Sequence, residues 1–194
     1  MCGFAVLANT GQENDEGLLA QISNDLLHRG PDSGGIKRLE NLSLIFRRLS
    51  VLGLDTKSDQ PMKDPTGRFY IVFNGEIYNF EDLKKELAKL GHSFLSSGDT
   101  EVFLNGFIEW GPRVFEKLEG MFSAVIIDNQ EQKLVAVRDQ LGIKPLYRTS
   151  AGSGIAFSST VRPLRRLVGT AVDPEALGEL LTFRYAGGRK SNYK

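Results

Sequence analysis

The sequence predicts an α+β fold in which strands pair as antiparallel hairpins and helices gather between them. Three observations carry this. Apolar runs of strand length recur along the chain, at 3 to 8, 42 to 50, 69 to 73, 121 to 128, 133 to 138 and 155 to 158. Two of them are joined only by Asn129-Gln130-Glu131-Gln132, a link too short for the crossover that a parallel pair needs. Two helical patterns, one from Asn79 and one opened by Ser97 to Glu101, follow each other with no strand between, unlike the alternation of a parallel βαβ sheet.

Taken in order, Gly3 with Phe4-Ala5-Val6-Leu7 reads as a buried strand. Leu18, Leu19, Ile22 and Leu26 then form one helical face that ends before the turn-like His28-Arg29-Gly30-Pro31-Asp32. Arg47-Arg48 interrupts the apolar strand from Leu42 to Ser50, and the pleat turns one guanidinium inward and the other outward. The inward arginine needs an anion, and a bidentate carboxylate from protein or ligand is the natural one. Phe69 to Phe73 is so continuously apolar that it should be buried on both faces. Asn74-Gly75-Glu76-Ile77-Tyr78-Asn79 then stands at the strand's end. Asn-Gly is the strongest hairpin dipeptide, yet the chain beyond Gly75 reads as the start of a helix, which leaves such a turn no second strand.

Asn79 caps a helix carrying Phe80, Leu83, Leu87 and Leu90, with Gly91 as its stop. Asp99 is a good cap for the next helix, which carries Phe103, Phe107 and Trp110 before Gly111-Pro112. Asp173-Pro174 supplies a cap and first residue for a last helix, with Leu177, Leu180 and Leu181 on one face. The compact unit is expected to span 2–168. Residues 169–194 are expected to be a C-terminal helix and tail, either a lid or the first element of something further.

A chain of 194 residues suffices for one domain burying roughly 70% of its unfolded surface. Lys plus Arg and Asp plus Glu are 24 each, so no net field attracts nucleic acid or an anionic membrane, and a neutral or zwitterionic partner is expected. One cysteine excludes an internal disulfide, and His28 and His92 are too far apart for a zinc-binding spacing. No apolar run reaches about 18 residues and no secretory leader stands at the start. A cytoplasmic protein is expected, with no metal or cofactor.

The lone cysteine, Cys2, directly follows Met1. Removal of Met1 would put a thiol and a free α-amine on one residue. With reference pKa values of about 8.5 and about 7.7 to 8, the amine can take the thiol's proton without a histidine. The plain alternative is a small apolar residue opening a buried strand. Asn74 and Gly75 offer a side-chain amide and a backbone N–H, a recurrent oxyanion-binding pair. Arg48 and Asp99, facing one pocket, would clamp the zwitterionic end of a free amino acid while its side chain reaches the nucleophile.

These features occur with Met1-Cys2-Gly3-Phe4, His28 to Asp32, Arg48-Leu49-Ser50, Gln60-Pro61-Met62, Asn74 to Asn79, Gly98-Asp99-Thr100-Glu101, Leu118-Glu119-Gly120-Met121-Phe122 and Arg138-Asp139-Gln140-Leu141-Gly142-Ile143-Lys144-Pro145-Leu146-Tyr147. In that order, from residue 2 to about 167, the chain resembles the class II glutamine amidotransferase domain, above all the N-terminal glutaminase half of glutamine-dependent asparagine synthetase. The resemblance implies an Ntn-hydrolase fold, an αββα four-layer sandwich of two antiparallel sheets. It also implies that Cys2 attacks the side-chain amide of L-glutamine, that Asn74 and Gly75 hold the oxyanion, and that Arg48 takes the substrate carboxylate. Asp99 and Glu76 take the ammonium, and the backbone of Leu49, Ser50, Val51 and Leu52 lines the pocket. The Arg29-Gly30-Pro31-Asp32 segment would support the nucleophile's surroundings, and Arg138 to Tyr147 would be a structural strand and turn near the far side.

Two departures stand out. Ser159-Thr160 occupies the place of the family's usual Ser-Glu, which removes a carboxylate where a partner domain is expected. No Ser-Gly-Gly-x-Asp-Ser loop for ATP pyrophosphate is present, so use of the ammonia is expected of a synthetase domain or subunit beyond this stretch. A homodimer is one assembly left open at this point. Two other readings stay open: a catalytically silent relative serving as an interaction or regulatory domain, and a self-activating amide hydrolase with another substrate.

Overall fold

β1 (Gly3–Ala8) is buried along its whole length, and everything in one sheet is arranged around it. The computed structural model describes residues 2–50, 56–169, 171–185, 191 and 193. β1 pairs antiparallel with β3 (Leu42–Arg48) on one side and β9 (Gly154–Ser158) on the other. β2 (Ser33–Leu39) and β8 (Tyr147–Ala151) close the edges, in the order β2-β3-β1-β9-β8. The second sheet runs β4-β5-β6-β7, built from Met62–Lys63, Phe69–Ile77, Gly120–Asp128 and Lys133–Arg138. Among the described residues every strand pairing is antiparallel, as the hairpin reading predicts.

Three apolar clusters separate four layers. Phe4, Val6, Leu44 and Phe46 of the first sheet meet Tyr70, Val72, Val125 and Ile127 of the second, which makes the strands two-sided and explains their unbroken apolar runs. On the outside of the first sheet, Ala5, Leu7 and Ile45 receive Leu19, Ile22 and Leu26, from α1 (Glu16–Asp25) and its C-terminal end. On the outside of the second, Ile71, Phe73, Phe122 and Ala124 receive α2 (Phe80–Lys89) and α3 (Asp99–Trp110). The result is an αββα sandwich. Phe103 of α3 sits edge-on to Phe73, Phe115 and Phe122, with ring centroids at 5.8, 6.2 and 5.6 Å, and so pins the start of α3 against β5.

Several expectations are corrected. β5 does not end at Phe73; it continues through Asn74, Gly75 and Glu76, which pair with Ser123, Phe122 and Met121 of β6. No hairpin forms at Asn74-Gly75, because β6 presses so close that a Cβ on Gly75 would lie 2.3 Å from the Met121 carbonyl oxygen. Asn79 holds the cap position of α2 without a side-chain cap bond; its amide instead donates to the Lys117 carbonyl (2.8 Å) and accepts from Glu119 N–H (3.1 Å). Gly98, not Asp99, is the cap residue of α3. Leu90 is exposed past the end of α2, where Gly91 takes a left-handed φ of 98°.

β2, β8 and a helix, α4 (Val161–Val168), lie outside the sequence pattern. β2 is an edge strand with Gly34-Gly35 and mostly exposed residues, so it lacks apolar periodicity. α5 (Pro174–Phe183) starts as expected, with the Asp173 carboxylate accepting from Glu175 and Ala176 N–H, but only Ala176 is buried and Leu181 is 78% exposed. Among the described residues no helix is long and apolar enough to cross a membrane.

Candidate active site

The antiparallel register sets the C-terminal end of β3 beside the start of β1, since Gly3 pairs with Arg47. Cys2 and Arg48 are therefore neighbours at one end of the sandwich. The same end of the second sheet carries residues 74 to 77 of β5, and Asp99 at the head of α3 reaches it by accepting the Ile77 N–H at 2.9 Å. A cavity opens there. Its wall includes Cys2, Arg48, Leu49, Gly75, Glu76 and Asp99.

Cys2 packs against the core between the sheets and its thiol donates to the Leu49 carbonyl at 3.6 Å. Burial pushes that thiol above its ordinary value, with the backbone at Leu49 and the Arg48 charge opposing only in part. It is a thiol at neutral pH, and a base must deprotonate it before it can act.

The two arginines separate as the pleat requires. Arg47 turns to α1 and donates to the Ser23 hydroxyl (3.0 Å) and carbonyl (3.3 Å), whereas Arg48 is buried and meets the cavity. Its Nη1 lies 2.7 Å from Asp59 Oδ1, so part of its charge is held by a carboxylate of the protein. Asp59 in turn accepts from Ser33 Oγ at 3.2 Å.

Among the described residues, two carboxylates face the cavity. Asp99 is raised to about 6: burial is the main cause, the nearby Glu76 adds to it, and the Ile77 N–H opposes it. Glu76 is raised too, by burial, with the Lys144 charge pulling the other way. The cavity thus joins one guanidinium with two carboxylates, complementary to a zwitterion at a pH where both acids are ionised.

Asn74 does not line the cavity wall; it lies behind it. In β5 it follows Tyr70 and Val72 on the face turned to the first sheet, the layer against which Cys2 packs. It is 1% exposed, and its Nδ2 is buried with no hydrogen-bond partner. Such a donor normally finds one. Ser50 also lies off the wall, its N–H held by Asp32 Oδ2 at 2.8 Å. Val51 and Leu52 lie outside the described residues.

The Arg29-Gly30-Pro31-Asp32 segment buttresses this end: a Cβ on Gly30 would meet the Arg47 backbone at 2.4 Å. Arg138 to Tyr147 is not remote from the site, as the sequence reading had it, because Lys144 is buried and its charge acts on Glu76. Sequence reasoning also missed Ser58, Gln60, Phe73, Gly98 and Thr100 in the wall. Gln60 stood in a motif but without a role. Its amide accepts Phe73 N–H at 2.6 Å and donates to the Phe73 carbonyl and Thr100 Oγ1, both at 3.3 Å, which ties β5 to α3 under the cavity.

Compared with known proteins, the chain matches the family model described as "Glutamine amidotransferase domain" over residues 1–194. It is 34% identical over 190 residues to asparagine synthetase (glutamine-hydrolyzing) 1 of Bacillus subtilis, covering 95% of this chain and 30% of that protein. It is likewise 34% identical over 167 residues to the asparagine synthetase (glutamine-hydrolyzing) of Zea mays, covering 84% of this chain and 28% of that one. The chain therefore spans less than a third of these curated relatives. Among solved structures it resembles glutamine phosphoribosylpyrophosphate amidotransferase of B. subtilis, with a TM-score of 0.67 and 18% identity over 87% of this chain and 44% of that one. This last likeness is one of fold.

Proposed function

The chain belongs to the glutamine amidotransferase domain family and has the Ntn-hydrolase fold, and on that premise we propose that it hydrolyses L-glutamine to L-glutamate and ammonia through a thioester on Cys2. Once Met1 is removed, the α-amine of Cys2 takes the thiol proton, and the thiolate attacks the side-chain amide carbon of glutamine. The C–N bond breaks as the amine returns the proton to the leaving nitrogen, which departs as ammonia. Water then attacks the thioester, releasing glutamate and restoring the thiol.

The observation that carries this reading is the buried, unpartnered Nδ2 of Asn74 in the layer against which Cys2 packs. Leaving such a donor unpaired costs about 1 to 3 kcal/mol, a cost that makes sense where the partner is an oxyanion present only during reaction. Gly75 N–H is the second donor. Arg48 takes the substrate α-carboxylate and Asp99, with Glu76, the ammonium, while the backbone at Leu49 lines the pocket.

The ammonia passes to a synthetase domain or subunit, as in asparagine synthetase, and the reaction takes place in the cytoplasm. The test is glutamate formation from L-glutamine by protein whose Met1 removal is verified by intact mass. Cys2→Ala should abolish it. Normal turnover by Cys2→Ala would overturn the nucleophile assignment.

A further inference from the structure

Ser123 of β6 is fully buried, and its hydroxyl has no hydrogen-bond partner. It pairs directly with Asn74 of β5, whose amide nitrogen is the other unpartnered buried group in this part of the sheet. Residues directly opposed on an antiparallel pair project to the same face with Cβ atoms about 4.5 to 5.5 Å apart. Two buried polar groups without partners thus stand side by side, on the face against which Cys2 packs.

The surroundings narrow what the hydroxyl can serve. Val72 and Val125, next along the same face of the two strands, are apolar and belong to the core between the sheets. Arg138, opposite Ser123 on β7, directs its guanidinium to the carbonyls of Lys144 and Gly142. The side-chain amide of Asn74 is the group directly across. A carboxamide has two orientations related by a flip, and only one aims Nδ2 at an oxyanion.

We propose that Ser123 is a positioning residue for the glutaminase reaction: its hydroxyl donates to Asn74 Oδ1 as the oxyanion forms, selecting the orientation in which Nδ2 donates to the oxyanion. The inference rests on the function proposed above. It also gives the hydroxyl a role at a strand position that alanine would fill with no desolvation cost.

The experiment compares the full chain, with Met1 removed, with Ser123→Ala, Asn74→Ala and the double variant, reading kcat and KM for L-glutamine and Tm. Ser123→Ala should lower kcat about five- to tenfold, the size of one hydrogen bond made mainly in the transition state, with KM unchanged and Tm equal to or above that of the parent. On the Asn74→Ala background it should have no further effect. Ser123→Thr, which keeps the hydroxyl, should restore most of kcat. An active parent with unchanged kcat in Ser123→Ala overturns the inference alone, as does an equal loss on both backgrounds, or a fall in kcat matched by a fall in Tm. A parent that forms no glutamate overturns the proposed function first and the inference with it.

Discussion

The carboxylate of Asp99, the first residue of α3, accepts the backbone N–H of Ile77 at the end of β5 at 2.9 Å. That bond crosses from the helical layer to the sheet and sets an acid in the wall of the cavity, near Glu76. It is structural support and charged wall at once, and its consequences depend on pH.

Asp99 is raised to about 6 from 3.8, chiefly by burial. Between those values the folded protein holds a proton there that the unfolded chain has lost. The group's contribution therefore favours the fold below about pH 4 and is lost as pH rises through 6. Asp99→Asn keeps an acceptor for Ile77 N–H but removes the buried charge. It should stabilise the protein on the order of 2 kcal/mol at pH 8 and hardly at all at pH 4, measured by denaturant unfolding. The same variant should raise KM for glutamine at pH 8, and the parent's KM should climb as pH falls below about 6, since a neutral Asp99 cannot pair with an ammonium.

Asn74→Ala removes a donor that has no partner in the folded protein. Stability should change by less than about 1 kcal/mol, while kcat for glutamine falls on the order of a hundredfold or more with KM little affected. Steady-state kinetics beside a melting curve decide it; a large loss of Tm would assign Asn74 to the scaffold.

Arg48→Lys keeps the charge and loses the planar fork that meets Asp59 through Nη1. KM for glutamine should rise about tenfold with a smaller change in kcat. An unchanged KM on folded protein would remove Arg48 from the substrate clamp.

Gly75→Ala should not fold normally. The added Cβ would lie 2.3 Å from the Met121 carbonyl oxygen and 2.6 Å from Phe122 Cα, both backbone atoms of the paired strand, so β5 and β6 must separate. A drop in Tm of several degrees, or insoluble expression, is expected; a melting curve equal to the parent's would disprove this packing.

A form extended ahead of Cys2 by a segment that is not cleaved turns its α-amine into a peptide nitrogen of no useful basicity. It should melt like the parent and release no ammonia from glutamine. Turnover by that form, its mass confirmed, would place the base elsewhere.

Much of this molecule was legible in the chain itself. The apolar runs located β1, β3, β5, β6, β7 and β9 because each of those strands buries side chains against another layer, and burial writes itself into residue type. The polar residues that broke the pattern, Cys2, Arg48, Glu76 and Asp99, do meet in one cavity. Those residues could be read because each is out of place in a core unless it has a partner.

Tertiary contacts decided the rest. Whether Asn74-Gly75 turns or extends depended on β6, which holds the segment flat by pairing across it, a choice no local propensity contains. That Asp59 holds Arg48, that Gln60 ties β5 to α3, and that Lys144 acts on Glu76 follow from packing layers far apart in sequence. Most telling is Ser123: in sequence it is an unremarked polar residue within an apolar strand, and only the strand register sets its hydroxyl beside the Asn74 amide. Residue type reports how much burial a position requires. Which polar groups then stand next to one another is settled by register and layer packing, because hydrogen-bond chemistry acts over a few ångströms that the linear order does not encode.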